Sequence, residues 1–172
     1  ELADKSPIPV ILYNMPRNTG VEMNSALISE LSKHQNIIGI KDSSGNIVQI
    51  AETIKHSAKD FAVFAGSASF LYPSLMLGAT GGTMALANCI PDKCVELIEL
   101  FVKGEHQKAQ ELQILLLDIN AAVTSKFGIG GMKAACELMG YYGGPLRKPL
   151  RAATPETVAQ IKEMLVKIGA LK

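Results

Sequence analysis

The stretch Ile37-Ile38-Gly39-Ile40-Lys41-Asp42-Ser43-Ser44-Gly45 runs from unbroken hydrocarbon into a lysine, an acid, two serines and a glycine. A short continuous apolar run that stops at turn residues reads as a strand covered on both faces, the habit of a parallel sheet. A lysine at the end of such a strand is costly to place without a task. Burial disfavours its charged form, and the neutral amine is the nucleophile that attacks a carbonyl. The plain alternative is a lysine that snorkels to water with Asp42 as its partner.

A second run, Pro9-Val10-Ile11-Leu12-Tyr13, precedes it and ends in a phenol. A tyrosine one strand away can shuttle protons, although a buried tyrosine with a satisfied hydroxyl has the same signature. Alternating patterns continue outward. Strands are expected over residues 8–13, 36–41, 61–65 and 82–87, with helices over 24–33, 46–56 and 69–77. Strand–helix alternation implies parallel strands joined by crossovers. Tyr13, Lys41 and Gly66 follow one another at intervals of 28 and 25 positions, a regular winding that fits a (β/α)8 barrel or a doubly wound sheet. In both, chemistry gathers beyond the C-terminal strand ends, where Tyr13, Lys41, Ser43, Gly66 and Ser67 fall.

Beyond Asn88 the pattern is helical: 92–103, 107–125, 132–139, and 154 to near 168, the last opened by Thr154 as N-cap and Pro155 in the first turn. Ala109, Leu112, Leu115, Leu116 and Ile119 form the apolar side of the long helix, and Gly128-Ile129-Gly130-Gly131 reads as a chain break. Residues 1–90 and 91–172 thus form a sheet-bearing part and a helical part of one structural domain. Glu1 to Lys5 reads as the last turn of a helix already under way, so the chain is expected to begin within a fold.

Composition narrows the function. The 172 residues carry a formal net charge of +1, no tryptophan and 19% charged residues, which gives no footprint for nucleic acid. No apolar run reaches the roughly 18 residues that span a bilayer. Cys89, Cys94 and Cys136 match neither a zinc nor a disulfide spacing and are expected reduced. His34, His56 and His106 lack partners at metal-ligand spacing. Ser43 reads equally as a ligand-binding hydroxyl or as the N-cap of the next helix. Gly66-Ser67 admits a ligand close to the backbone, or is simply a tight turn.

In combination and order, Tyr13-Asn14-Met15-Pro16, Gly39-Ile40-Lys41-Asp42 and Ala65-Gly66-Ser67 resemble the dihydrodipicolinate synthase / N-acetylneuraminate lyase superfamily, from Leu2 to the end of the chain. The resemblance implies Schiff-base enzymes on a TIM barrel with a three-helix tail. It implies Lys41 as the imine-forming nucleophile, Tyr13 as proton relay, and Gly66, Ser67 and Ser43 near the bound oxo acid, without metal or organic cofactor. It also implies a homo-oligomer, commonly a tetramer, with a small 2-oxo acid as its partner, while the reduced thiols fit a cytoplasm or a mitochondrial matrix.

In the synthases an arginine commonly stands two residues after the loop proline. Here that position is Asn18, beside Arg17, and losing a carboxylate clamp disfavours the synthase substrate. Asn18-Thr19-Gly20, Asn120 to Thr124, Phe127-Gly128-Ile129 and Tyr141 to Pro145 resemble the 4-hydroxy-2-oxoglutarate aldolases instead. The sequence therefore leans to aldol cleavage giving pyruvate and glyoxylate. Dihydrodipicolinate synthesis and a non-catalytic half-barrel that assembles or binds a small anion are the alternatives. By the same resemblance the chain corresponds to the fifth to eighth barrel strands and the tail, so residues 1–172 alone are expected to be inactive or nearly so.

Overall fold

A computed structural model describes all 172 residues. They form two compact units, Glu1–Thr83 and Met84–Lys172.

The first unit is built on four parallel strands: β1 (Val10–Asn14), β2 (Ile37–Asp42), β3 (Ala62–Ala65) and the very short β4 (Gly81–Gly82). Their spatial order is β1-β2-β3-β4, the order of the chain. A doubly wound sheet reverses its strand order at a switch point, whereas sequential order with helices on one face is the winding of a barrel segment. The crossovers carry α2 (Pro16–Thr19) and α3 (Ser25–Leu31), then α4 (Ile47–His56), then a 3-10 turn (Ala68–Phe70) leading into α5 (Leu71–Met76). A short α1 (Leu2–Lys5) precedes β1, as the opening residues suggest.

Strand alternation decides the packing. Ile40 and Val63 point to the helix side and form a core with Ile28 of α3 and Ile50 of α4, joined at its edge by Leu12, Ile47, Ile54 and Phe70. Ile11 and Tyr13 point the other way and stay about half exposed. The helices start where their side-chain caps sit: Asn24 accepts from the amide of Leu27, and Asn46 from that of Gln49. Ser43 is therefore not the cap of α4.

The second unit is helical: a 3-10 turn (Ala85–Asn88), α6 (Pro91–Val102), α7 (His106–Ala121) running on into a π-helical turn (Ala122–Lys126), α8 (Gly128–Leu138) and α9 (Pro155–Lys167). Leu97, Ala109, Leu112, Leu116, Ile119, Ile161 and Leu165 are buried in it. Thr154 caps α9 through the amide of Thr157, as its sequence indicates.

Three expectations need correction. The strand read over 82–87 stops at Gly82, and Ala85–Asn88 is a 3-10 turn. The ladder ends there: the Thr83 amide takes the carbonyl of Ala65, the last residue of β3. Gly130 and Gly131 do not break the chain but lie inside α8. Their missing side chains permit close packing, since a Cβ on Gly130 would stand 2.6 Å from the Arg151 carbonyl oxygen and one on Gly131 2.7 Å from the Phe127 Cβ. Gly128, at φ +59°, makes the actual break. Leu115, expected on the buried side of α7, is 37% exposed.

Candidate active site

Tyr13 and Lys41 are direct partners across the β1–β2 ladder. Their side chains leave the sheet on the same face, and the Lys41 Nζ lies 4.5 Å from the centre of the Tyr13 ring. A cation over an aromatic face at an accessible site gains about 0.5–1 kcal/mol. Neither residue is walled in as the sequence suggests: Lys41 is half-buried and Tyr13 is 55% exposed. The reason is the side from which they project. Helices cover the face bearing Ile40 and Val63, not the one bearing Ile11 and Tyr13.

Asp42 is not the partner of Lys41. Adjacent strand residues face opposite sides, and Asp42 is 2% exposed among the helix-side groups. One carboxylate oxygen accepts from the Ser44 amide at 2.7 Å and the Ser44 hydroxyl at 2.5 Å. The other accepts from Asn14 Nδ2 at 3.2 Å and Gln49 Nε2 at 3.0 Å. No ion pair of the chain involves Lys41. The Asn14–Asp42–Gln49 cluster was missed from the sequence. Its signal was the period-two alternation itself, which separates positions 41 and 42.

Ser43 and Gly66 meet. The Ser43 amide donates to the Asn14 carbonyl at 2.8 Å, and the Gly66 amide to the Asp42 carbonyl at 2.7 Å, so three strand ends are laced together. The Ser43 hydroxyl is buried with no hydrogen-bond partner. A buried hydroxyl without a partner is costly and calls for a reason. Gly66 leaves the space beside it: a Cβ there would stand 1.9 Å from Ser43 Oγ. Ser67 turns instead to the chain that follows, its hydroxyl accepting from the Ser69 amide at 3.3 Å.

Asn18 lies on the one-turn helix α2, which ends at Gly20 with φ +69°. Its amide donates to the Met15 carbonyl at 3.0 Å, and its side chain is exposed, as is that of Arg17. Nothing ties Asn18 to the Lys41–Tyr13 pair within the chain.

No group of three or more His, Cys, Asp or Glu side chains is arranged to hold a metal ion. Cys89, Cys94 and Cys136 are free and buried. Burial, with Cys136 and Cys94 nearby, pushes the Cys89 thiol up to about 12, and burial pushes Cys94 to about 11. His34 bonds Asp4 at 2.8 Å. No helix is long and apolar enough to cross a membrane.

The model of the dihydrodipicolinate synthetase family matches residues 1–168. A 4-hydroxy-tetrahydrodipicolinate synthase of Methanothrix thermoacetophila is 36% identical over 172 residues, covering 99% of this chain and 58% of that protein. One from a Thermoanaerobacter species is 36% identical over 173 residues, covering 100% and 58%. Among solved structures, a dihydrodipicolinate synthase of Bacillus anthracis superposes with a TM-score of 0.90 at 30% identity, covering 99% of this chain and 57% of the other. A prophage protein of the dihydrodipicolinic acid synthase family from E. coli K12, in complex with pyruvate, gives 0.89 at 28% identity, covering 98% and 59%. The chain thus spans somewhat over half the length of the proteins it matches, and over that span it carries their α/β fold with a parallel sheet. It belongs to the dihydrodipicolinate synthetase family.

Proposed function

We propose that the protein is a Schiff-base-forming lyase acting on pyruvate-type 2-oxo acids, with Lys41 as nucleophile and Tyr13 as proton relay. The observation that carries this reading is the cross-strand pair itself. An amine engaged by no carboxylate stands 4.5 Å from the centre of a phenol ring, at the strand ends where such folds place their chemistry.

The neutral Lys41 amine adds to the ketone carbon of the oxo acid, and a proton passes from nitrogen to the former carbonyl oxygen to give a carbinolamine. Tyr13 relays the proton of the first step and then donates one to the departing hydroxyl, so that water leaves and a protonated imine remains. The imine nitrogen then accepts an electron pair from the neighbouring carbon. Deprotonation there yields an enamine that attacks an aldehyde. In the reverse sense, cleavage of a carbon–carbon bond leaves the same enamine, and its protonation and hydrolysis free the oxo acid and the lysine. Ser43, whose hydroxyl has no partner in the chain, and the Gly66-Ser67 turn beside it suit the oxo-acid carboxylate.

Similarity to 4-hydroxy-tetrahydrodipicolinate synthases favours condensation with aspartate semialdehyde, the dihydrodipicolinate synthase reaction, over 4-hydroxy-2-oxoglutarate cleavage. Asn18, in place of a carboxylate-clamping arginine, is what still speaks for the aldolase. The strands β1 to β4 correspond in this reading to the fifth to eighth of a TIM barrel. We further read the protein as a homo-oligomer, to which the exposed Ile114 and Leu117 of α7 are suited. The compartment is a reducing one such as the cytoplasm, in keeping with three free cysteines.

Pyruvate with borohydride tests the chemistry in the native full-length protein. A stable adduct on Lys41, abolished by Lys41→Ala, is the expected result, and an unmodified Lys41 would overturn it. Steady-state rates with the two aldehyde systems then separate synthase from aldolase.

A further inference from the structure

We infer that Asp42 is a positioning residue, whose carboxylate holds the strand-end turn that carries Ser43 and fixes Lys41 opposite Tyr13. The inference rests on the Schiff-base reading above but concerns a residue that never faces the substrate side.

Asp42 is 2% exposed, yet no cation pairs with it. Four neutral donors converge on it instead, from three segments of chain. Ser44 belongs to the turn after β2, Gln49 to the first turns of α4, and Asn14 to the end of β1. A buried carboxylate is tolerated when its lone pairs are all filled, and here each oxygen accepts two bonds. The network continues past the carboxylate. Asn14 Oδ1 accepts from the Met23 amide at 3.2 Å, and the Ser44 hydroxyl accepts from the Asn46 amide at 3.1 Å.

The geometry of a sheet makes this hub a lever on the reacting face. Asn14 and Asp42 are ladder partners immediately after Tyr13 and Lys41. Clamping the first pair from the helix side sets the backbone from which the second pair projects on the other side. The Asp42 carbonyl also receives the Gly66 amide at 2.7 Å, so the turn carrying Ser43 and the one carrying Gly66 share an anchor.

An Asp42→Asn change keeps the shape and removes half of the acceptors. The Ser44 amide can only donate, and Asn14 Nδ2 is held as a donor because Asn14 Oδ1 already accepts from Met23. Either orientation of the new amide sets a donor against a donor.

The experiment uses the native full-length protein with pyruvate and borohydride, alongside amide hydrogen exchange. Asp42→Asn, assayed below its melting temperature, should trap pyruvate on Lys41 more slowly by on the order of 10- to 100-fold. The loss should fall on kcat more than on KM, with faster exchange at Ser43 and Ser44. Trapping at the wild-type rate, or unchanged exchange at those amides, overturns the inference. If Asp42→Asn does not fold, Gln49→Met decides. It removes one donor of the four and should slow trapping at a little-changed melting temperature, whereas a wild-type rate would overturn the proposal. A wild-type protein that forms no adduct would instead remove the Schiff-base reading, and the exchange comparison alone would then judge the hold of Asp42 on the turn.

Discussion

A β-carbon on Gly66 would fall 1.9 Å from the hydroxyl oxygen of Ser43. The two residues lie 23 positions apart in the chain. They share one small space at the end of the sheet, next to the backbone bond from Gly66 to Asp42.

Gly66→Ala should therefore destabilise the fold by about 1–3 kcal/mol, the usual range for overpacking a tight site. Truncating the serine as well should not restore stability. The added Cβ would still meet the Asp42 carbonyl oxygen at 2.7 Å and the Ser43 Cβ at 2.8 Å. Urea unfolding of Gly66→Ala and of the double variant with Ser43→Ala checks this, and full rescue by the second change would contradict it.

Ser43 and Asn46 should behave in opposite ways. Ser43→Ala removes a buried hydroxyl that has no partner in the chain, so stability should hold or rise slightly while the KM for the oxo acid rises. Asn46→Ala removes the side chain that caps α4 and should cost about 1 kcal/mol. Thermal melts of both variants, with pyruvate kinetics for Ser43→Ala, separate a ligand-facing hydroxyl from a structural one.

Tyr13→Phe keeps the ring beneath the Lys41 amine and removes only the phenolic oxygen. Borohydride trapping should remain detectable, and kcat should fall by about 10²–10⁴-fold, the span of a lost general acid–base group. A kcat within twofold of the parent would exclude Tyr13 from proton transfer.

Alkaline pH should weaken the second unit through its thiols. Cys89 goes from an ordinary value of 9.0 to about 12 on folding, chiefly by burial, and Cys94 to about 11. Below pH 9 the thiols are protonated in both states, and stability is unaffected by them. Above it the unfolded chain releases protons that the folded chain retains, so stability falls as pH climbs from 9 toward 12. Denaturant midpoints across that range should show a decline that Cys89→Ala reduces.

Gly130→Ala should be destabilising even though alanine is the better helix former by about 1 kcal/mol. The site lies within α8, but a Cβ there would stand 2.6 Å from the Arg151 carbonyl oxygen, which belongs to backbone and cannot swing aside. A raised melting temperature would show that the segment around Arg151 yields.

Local chemistry was enough to place the strands that carry Tyr13 and Lys41, the helices that begin near Asn24 and Asn46, the helix cap at Thr154, and the parallel character of the sheet. Each depends on residues a few positions apart: apolar runs, period-two or 3.6 spacing, and a polar side chain one turn ahead of a helix. The family motifs around Tyr13, Lys41 and Gly66 are equally local. Tertiary structure decided what those patterns leave open. It ended the fourth strand at Gly82, because the ladder runs out with Ala65. It drew Gly130 and Gly131 into a helix, because close backbone approach there requires glycine. It left Tyr13 half exposed while burying Asp42, because helices cover only the face to which Asp42 points. Burial and hydrogen-bond partnership are properties of segments such as Asn14, Asp42 and Gln49 brought together by folding, and no short window of sequence contains them.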